Sequence, residues 1–196
     1  MKTILSCVLL CSLGVIFAQQ KAFEYPEGIY SNYDDFITGK PSLDNSIEAK
    51  QGKNIVITTF RIKDGNGNKI KHAFAASDGE NVYVRTNAML GHLTNVEFDK
   101  PNATDKDYSK ALMANQDYLY LEVFFQSKSV KNWGIGKVYL SGILYNNTSG
   151  KFTILESMEN LQTALGSPVS NGDQRINGQN IDAARKAVLP LFNTNN

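Results

Sequence analysis

The chain has 196 residues, is 42% hydrophobic and carries 20 basic against 19 acidic side chains, enough for one domain with a core of its own. That balance supplies no net field towards phosphates or anionic lipid, which argues against nucleic acid as a partner. Both cysteines, Cys7 and Cys11, fall within the first 18 residues, so removal of that segment would also remove thiolate catalysis and cysteine metal ligation.

Residues 1–18, MKTILSCVLLCSLGVIFA, have one positive charge at Lys2, apolar runs, and a small residue, Ala18, before Gln19. Charge, apolar run and small residue in that order are the pattern of a secretory signal peptide, and the apolar part is too short for a permanent span. The expectation is export to the periplasm or beyond, with cleavage after Ala18; the rival is an uncleaved amphiphilic anchor. Residues 19–196 then form one disulfide-free domain held by packing, with 19 charges of each sign and no further segment of transmembrane length.

The first structural element falls in GIYSNYDDFITGKPS, residues 28–42. Ser31, three residues before Asp34, is placed to cap a helix whose apolar side is Tyr33, Phe36 and Ile37; Gly39 can close it and Pro41 prevents its continuation. Asp34 and Asp35 are then residues of a helix start. As neighbours on a helix they point about 100° apart, which is wrong for an acid/base pair converging on one atom.

Residues 54–62 (NIVITTFRI), 69–77 (KIKHAFAAS) and 81–86 (NVYVRT) are rich in β-branched and aromatic residues. The intervening DGNGN and the pair Asp78 and Gly79 supply tight turns, so the three segments are expected to form a meander. Between 87 and 115 only HLTNVEF is a candidate strand, and KPNATDKDYSK reads as a loop. DYLYLEVFFQ, residues 117–126, is the strongest strand: Leu119, Leu121, Val123 and Phe125 lie on one face, Tyr118, Tyr120, Glu122 and Phe124 on the other. With both faces largely apolar, it is expected to be covered on both sides.

Residues 136–157 read as two strands joined at NNTSG. Ser157 then caps a helix over 157–166 that stops at Gly166. Residues 180–192 repeat the helical pattern with Ile181, Ala184, Val188 and Leu191 on one side, and Pro190 is expected to end or bend the helix. The fold class is therefore α+β: a largely antiparallel twisted sheet of about six or seven strands, with a short N-terminal helix and C-terminal helices.

The segments GIY, YDDF and PS within 28–42, AASDGENVYVRT at 75–86 and ILYNNTSGKFTIL at 143–155 together resemble an uncharacterised family of exported proteins from Bacteroidetes. The resemblance implies export and a shared fold. Its motifs are turn and strand chemistry, so it transfers no functional residue.

Reactive constellations are sparse. The chain has 2 histidines, His72 and His92, and no Gly-x-Ser-x-Gly turn. His72 falls on the expected strand face of Ile70, Phe74 and Ala76, which favours a structural role, while His92 beside Gly91 is expected to be exposed. Asp64, Asn66 and Asn68 imitate the start of a calcium loop, but Lys69 stands where glycine is needed, so a hairpin turn is the better reading. GIGK, residues 134–137, lacks the remaining parts of a phosphate loop. No cofactor or metal is implied. Asn102, Asn146 and Asn147 begin glycosylation sequons, relevant only in a eukaryotic secretory route.

Aromatic surface is the remaining binding signal: Trp133, Tyr118, Tyr120 and Tyr139 offer flat faces with polar tips that suit a glycan, peptide or envelope-protein partner. The alternative is that they pack under the terminal helices. The leading expectation is a noncatalytic exported binding or cell-envelope-associated protein. A hydrolase assembled from a histidine and distant carboxylates, and a structural or accessory protein, are the alternatives.

Overall fold

The computed structural model describes residues 25–52, 58–94, 100–101, 103–126, 138–166 and 181–193. The expected signal segment, Trp133, Asn102 and GIGK lie outside the described residues, as do 54–57 and 95–98 of the expected strands. In chain order the elements are β1 (Gly28–Tyr30), α1 (Tyr33–Ile37), β2 (Ile47–Gln51), β3 (Phe60–Asp64), β4 (Lys69–Ile70), β5 (Ala75–Ser77), β6 (Val82–Arg85) and α2 (Thr86–Met89). After a 3-10 turn (Leu90–His92) come β7 (Lys100–Pro101), β8 (Tyr108–Ala114), β9 (Tyr118–Gln126), β10 (Val138–Asn146), β11 (Lys151–Ile154), α3 (Met158–Leu165) and α4 (Ile181–Phe192).

A curled antiparallel path of seven strands runs β1-β5-β6-β8-β9-β10-β11. This is the α+β arrangement expected, with a short helix near the start and two at the end. A side ribbon, β2-β3-β4, joins the path where Phe60 of β3 meets Tyr108 of β8. β9 lies between β8 and β10, and its two faces are covered as the alternation requires.

Helix α1 is capped by Asn32, one residue later than the expected Ser31. The Asn32 side chain accepts from the Asp35 amide at 2.9 Å, and the Asp35 carboxylate accepts from the Asn32 amide at 3.3 Å. The Ser42 hydroxyl also donates to Asp35; this bond, with those from Asn32, holds the carboxyl below its usual range against slight burial. Asp35 is thus occupied in closing the helix start, and Gly39 takes the left-handed conformation (φ 64°) just past the helix end. Helix α3 has the expected Ser157 cap and Gly166 stop. Helix α4 continues through Pro190 to Phe192 instead of ending there: the exposed proline gives up one i→i−4 bond, and it lies in the last turn with only Leu191 and Phe192 beyond it in the helix.

The expected three-strand meander is interrupted. β3 and β4 form a hairpin, and β5 and β6 form another, but the chain breaks between them because residues 73 and 74 are drawn elsewhere. The Phe74 amide donates to Tyr30 O at 2.8 Å, its carbonyl accepts from the Arg85 amide at 2.8 Å, and the Ala73 carbonyl accepts from Arg85 Nε and the Tyr108 hydroxyl. His72 is consequently exposed in the break, a correction to its expected core-facing position. A second correction is β8, which occupies part of the expected loop. It carries a bulge between Ala111 and Met113 that leaves Leu112 53% exposed.

Among the described residues three apolar clusters hold the layers together. Inside the curl, Phe36 from α1 meets Tyr25 at 4.8 Å, Tyr145 at 5.1 Å and Phe74 at 5.2 Å, over Leu121, Val123 and Ile143. Full burial of each such side chain contributes about 1.5–3 kcal/mol. Between the sheet and helices α3 and α4 lie Tyr120, Leu144, Leu161 and Val188. Under the side ribbon, Ile62 packs with Tyr83 and Tyr108, flanked by Ile47, Ala49, Phe60 and Ile70. Strand alternation then sends the intervening residues of the ribbon, Glu48, Lys50, Arg61, Lys63 and Lys69, to the opposite face.

Candidate functional site

Of the aromatic residues singled out in the sequence, the three that are described, Tyr118, Tyr120 and Tyr139, do not share a surface. Tyr120 is fully buried beneath the terminal helices, its ring over Gly142 of the neighbouring strand and its hydroxyl donating to Glu122 Oε1 at 3.1 Å. Tyr118 is half-buried beside the same helices. Tyr139 packs on the other side of the sheet, stacked on Phe125 at 6.0 Å. Burial raises the pKa of Tyr120 and, to a lesser extent, Tyr118, as expected for phenols inside a packed layer.

The histidines are also separated by role. His72 is exposed. His92, expected to be exposed, is half-buried with its ring stacked on Tyr33 at 3.6 Å and edge-on to Phe74. Desolvation lowers its pKa, opposed by the Asp34 carboxylate. Among the described residues no group of three histidine, cysteine or carboxylate side chains could hold a metal ion.

Three concavities merit comparison. The largest, about 590 Å³, lies among Tyr25, Ile37, Gly39, Gln116 and Asn147. Its polar groups already bond one another: Tyr25 OH donates to Asn147 Oδ1 at 3.0 Å, and Asn147 Nδ2 donates to the Gln116 carbonyl. A second, about 320 Å³, borders the bidentate pair of Arg185 with Glu122 (2.6 and 2.8 Å), which fastens α4 to β9.

The third is different in kind. A cleft of about 240 Å³ on the outer face of the side ribbon gathers Lys50, Arg61, Lys63, Lys69, Lys71 and Lys106, with Ile62 and Ile70 between them. Arg61 sits directly across the strands from Lys50, and Lys63 directly across from Lys69. Like charges facing one another on a sheet are destabilising. Nearby carboxylates relieve only part of this. Glu48 pairs with Lys50 at 3.2 Å and faces Lys63 across the strands, and Asp107 pairs with Arg61 Nε at 2.8 Å. Asp64 is turned to the hairpin, where the Asn68 side chain and amide, with the Asn66 amide, hold its carboxyl below the usual range. Lys63, Lys69, Lys71 and Lys106 have no ion-pair partner among the described residues.

Asp107 anchors the cleft's arginine. It is 6% exposed, and its second oxygen accepts from the Thr104 amide at 2.7 Å and hydroxyl at 2.8 Å. The cleft can therefore hold anionic groups by charge-assisted hydrogen bonds from several ammonium groups around one guanidinium paired with Asp107. The sequence does carry a signal for it: the tripeptides Arg61-Ile62-Lys63 and Lys69-Ile70-Lys71 mirror each other across the DGNGN turn. Chain-wide charge balance hid that local segregation. Compared with protein families, curated proteins and solved structures, the chain finds no match.

Proposed function

We propose that the protein is an exported, noncatalytic binding protein whose site is the basic cleft of the side ribbon, and that its ligand is anionic. The observation that carries the reading is the cross-strand arrangement of like charges, Lys63 against Lys69 and Arg61 against Lys50, around a concave surface. Such a face is unfavourable when empty, and an anion converts its repulsion into attraction. Export is supported by the charged, apolar and small-residue order of residues 1–18. Among the described residues no helix is long and apolar enough to cross a membrane.

Retention on an immobilised sulfated polymer tests the reading. The protein is expected to bind at low salt and elute as salt rises, because exposed charges are screened beyond about 10 Å at 0.1 M. The variant Lys63→Gln/Lys69→Gln/Lys71→Gln is expected to flow through. Equal retention of the two proteins would refute the cleft as the site.

A further inference from the structure

We infer that the cleft takes a linear acidic saccharide, held through at least two carboxylate or sulfate groups; the inference rests on the anion-binding reading above and adds the ligand class. The cations form two rows across the ribbon. One row is Lys63 with Lys69; the other is Arg61 with Lys50, joined by Lys71, which follows Lys69 by two residues and lines the same cleft. Two residues along a strand span about 6.8 Å, so the rows match two anionic groups about 7 Å apart. A single small anion satisfies one row and leaves the other unrelieved.

The lining separates the classes of polyanion. Among the described residues no aromatic side chain borders the cleft, so they offer no stacking platform for the bases of a single-stranded nucleic acid. Among the described residues none of the large exposed hydrophobics, Ile37, Leu43, Leu112, Val138 and Leu189, lines it, so they offer no apolar wedge for a lipid surface. The cations stand on the face of the ribbon and not along the open edges of its outer strands β2 and β4, where a peptide would extend it by main-chain pairing, so such pairing would not engage them. Glu48, exposed beside Lys50 and opposite Lys63, adds a hydrogen-bond acceptor among the donors. A saccharide supplies hydroxyl donors for Glu48 together with anions for the lysines. Its stiff repeat also fixes their spacing, so less ordering entropy is lost on binding than for flexible acidic side chains.

Calorimetric titration of the purified protein with galacturonate, tetragalacturonate, inorganic phosphate, poly-glutamate, an oligothymidylate and vesicles containing phosphatidylglycerol tests the inference. Tetragalacturonate is expected to bind at least about tenfold more tightly than the monomer, as two linked contacts require. Lys63→Gln/Lys69→Gln is expected to lower that affinity about tenfold and remove the advantage over the monomer. Glu48→Ala removes the acceptor while keeping the cations and is expected to reduce the preference for tetragalacturonate over phosphate. Tight binding of poly-glutamate, oligothymidylate or vesicles with none of tetragalacturonate would overturn the saccharide class while leaving the anion site standing. Equal affinity for monomer and tetramer would overturn the two-row geometry. Failure of every anion to bind would overturn both readings together.

Discussion

Replacing Lys69 by Gln is expected to make the protein more stable, the reverse of what most substitutions do. Lys69 is exposed and lies directly opposite Lys63 in the β3–β4 pair, with Lys71 next on the same face. Cross-strand Cβ atoms are about 5 Å apart, and flexible ammonium groups can splay to about 8 Å, so each repulsion is about 0.5–0.8 kcal/mol in water before screening. With two lysine neighbours, and some of the repulsion screened, the substitution is expected to gain about 0.5–1 kcal/mol at low ionic strength. That corresponds to a rise in Tm of about 1–4 °C for a domain of this size. Thermal unfolding followed by circular dichroism at about 20 mM and 500 mM salt separates charge from packing, since salt should stabilise the native chain more than the variant and close the gap. A variant that is destabilised, or whose advantage is unchanged by salt, would refute the claim that the cleft stores charge repulsion.

Arg185→Ala removes the partner of a Glu122 carboxylate whose side chain is 8% exposed, and is expected to destabilise by about 1.5–3 kcal/mol, less than a fully buried pair because Arg185 is itself half-exposed. A double-mutant cycle with Glu122→Gln checks it: the second substitution should cost far less in the Arg185→Ala background. Gly142→Ala places a Cβ 2.7 Å from the Tyr120 hydroxyl and is expected to lose about 1–3 kcal/mol in chemical denaturation, with a smaller loss in a Tyr120→Phe background. His92, its pKa lowered from 6.5, binds fewer protons folded than unfolded. Its contribution to stability is therefore full above pH 6.5 and declines as pH falls below that value. His92→Phe, which preserves the stack on Tyr33, is expected to flatten the dependence of unfolding free energy on pH as pH falls below 6.5; an unaltered slope would assign it to other groups.

Much of the scaffold was legible because it is written in local chemistry. Ser157 and Gly166 bracket α3, the DGNGN and NNTSG turns sit where hairpins form, and the alternation of β9 assigns its faces correctly. What was hidden depends on distant partners. β8, Tyr-Ser-Lys-Ala-Leu-Met-Ala, has the composition of a helix or loop and becomes a strand because β6 and β9 flank it. The break at His72 follows from bonds that residues 73 and 74 make to Tyr30, Arg85 and Tyr108. The helix cap moved from Ser31 to Asn32: Asn32 and Asp35 bond each other's amides, while the Ser31 amide is taken by the distant Ser42 hydroxyl. For the candidate site, the period-two pattern of Arg61, Lys63, Lys69 and Lys71 was visible along the chain. The pairing that sets Lys63 against Lys69 and brings in Lys50 and Lys106 is a property of the fold.

The most direct test of the proposed anion site is calorimetric titration of the native protein and of Lys63→Gln/Lys69→Gln/Lys71→Gln with tetragalacturonate at low salt. Saturable binding by the native protein, lost in a variant that remains folded by circular dichroism, is the predicted result. Equal heats from the two proteins, or no heat from the native one, would contradict the assignment of the ribbon's basic cleft as the ligand site.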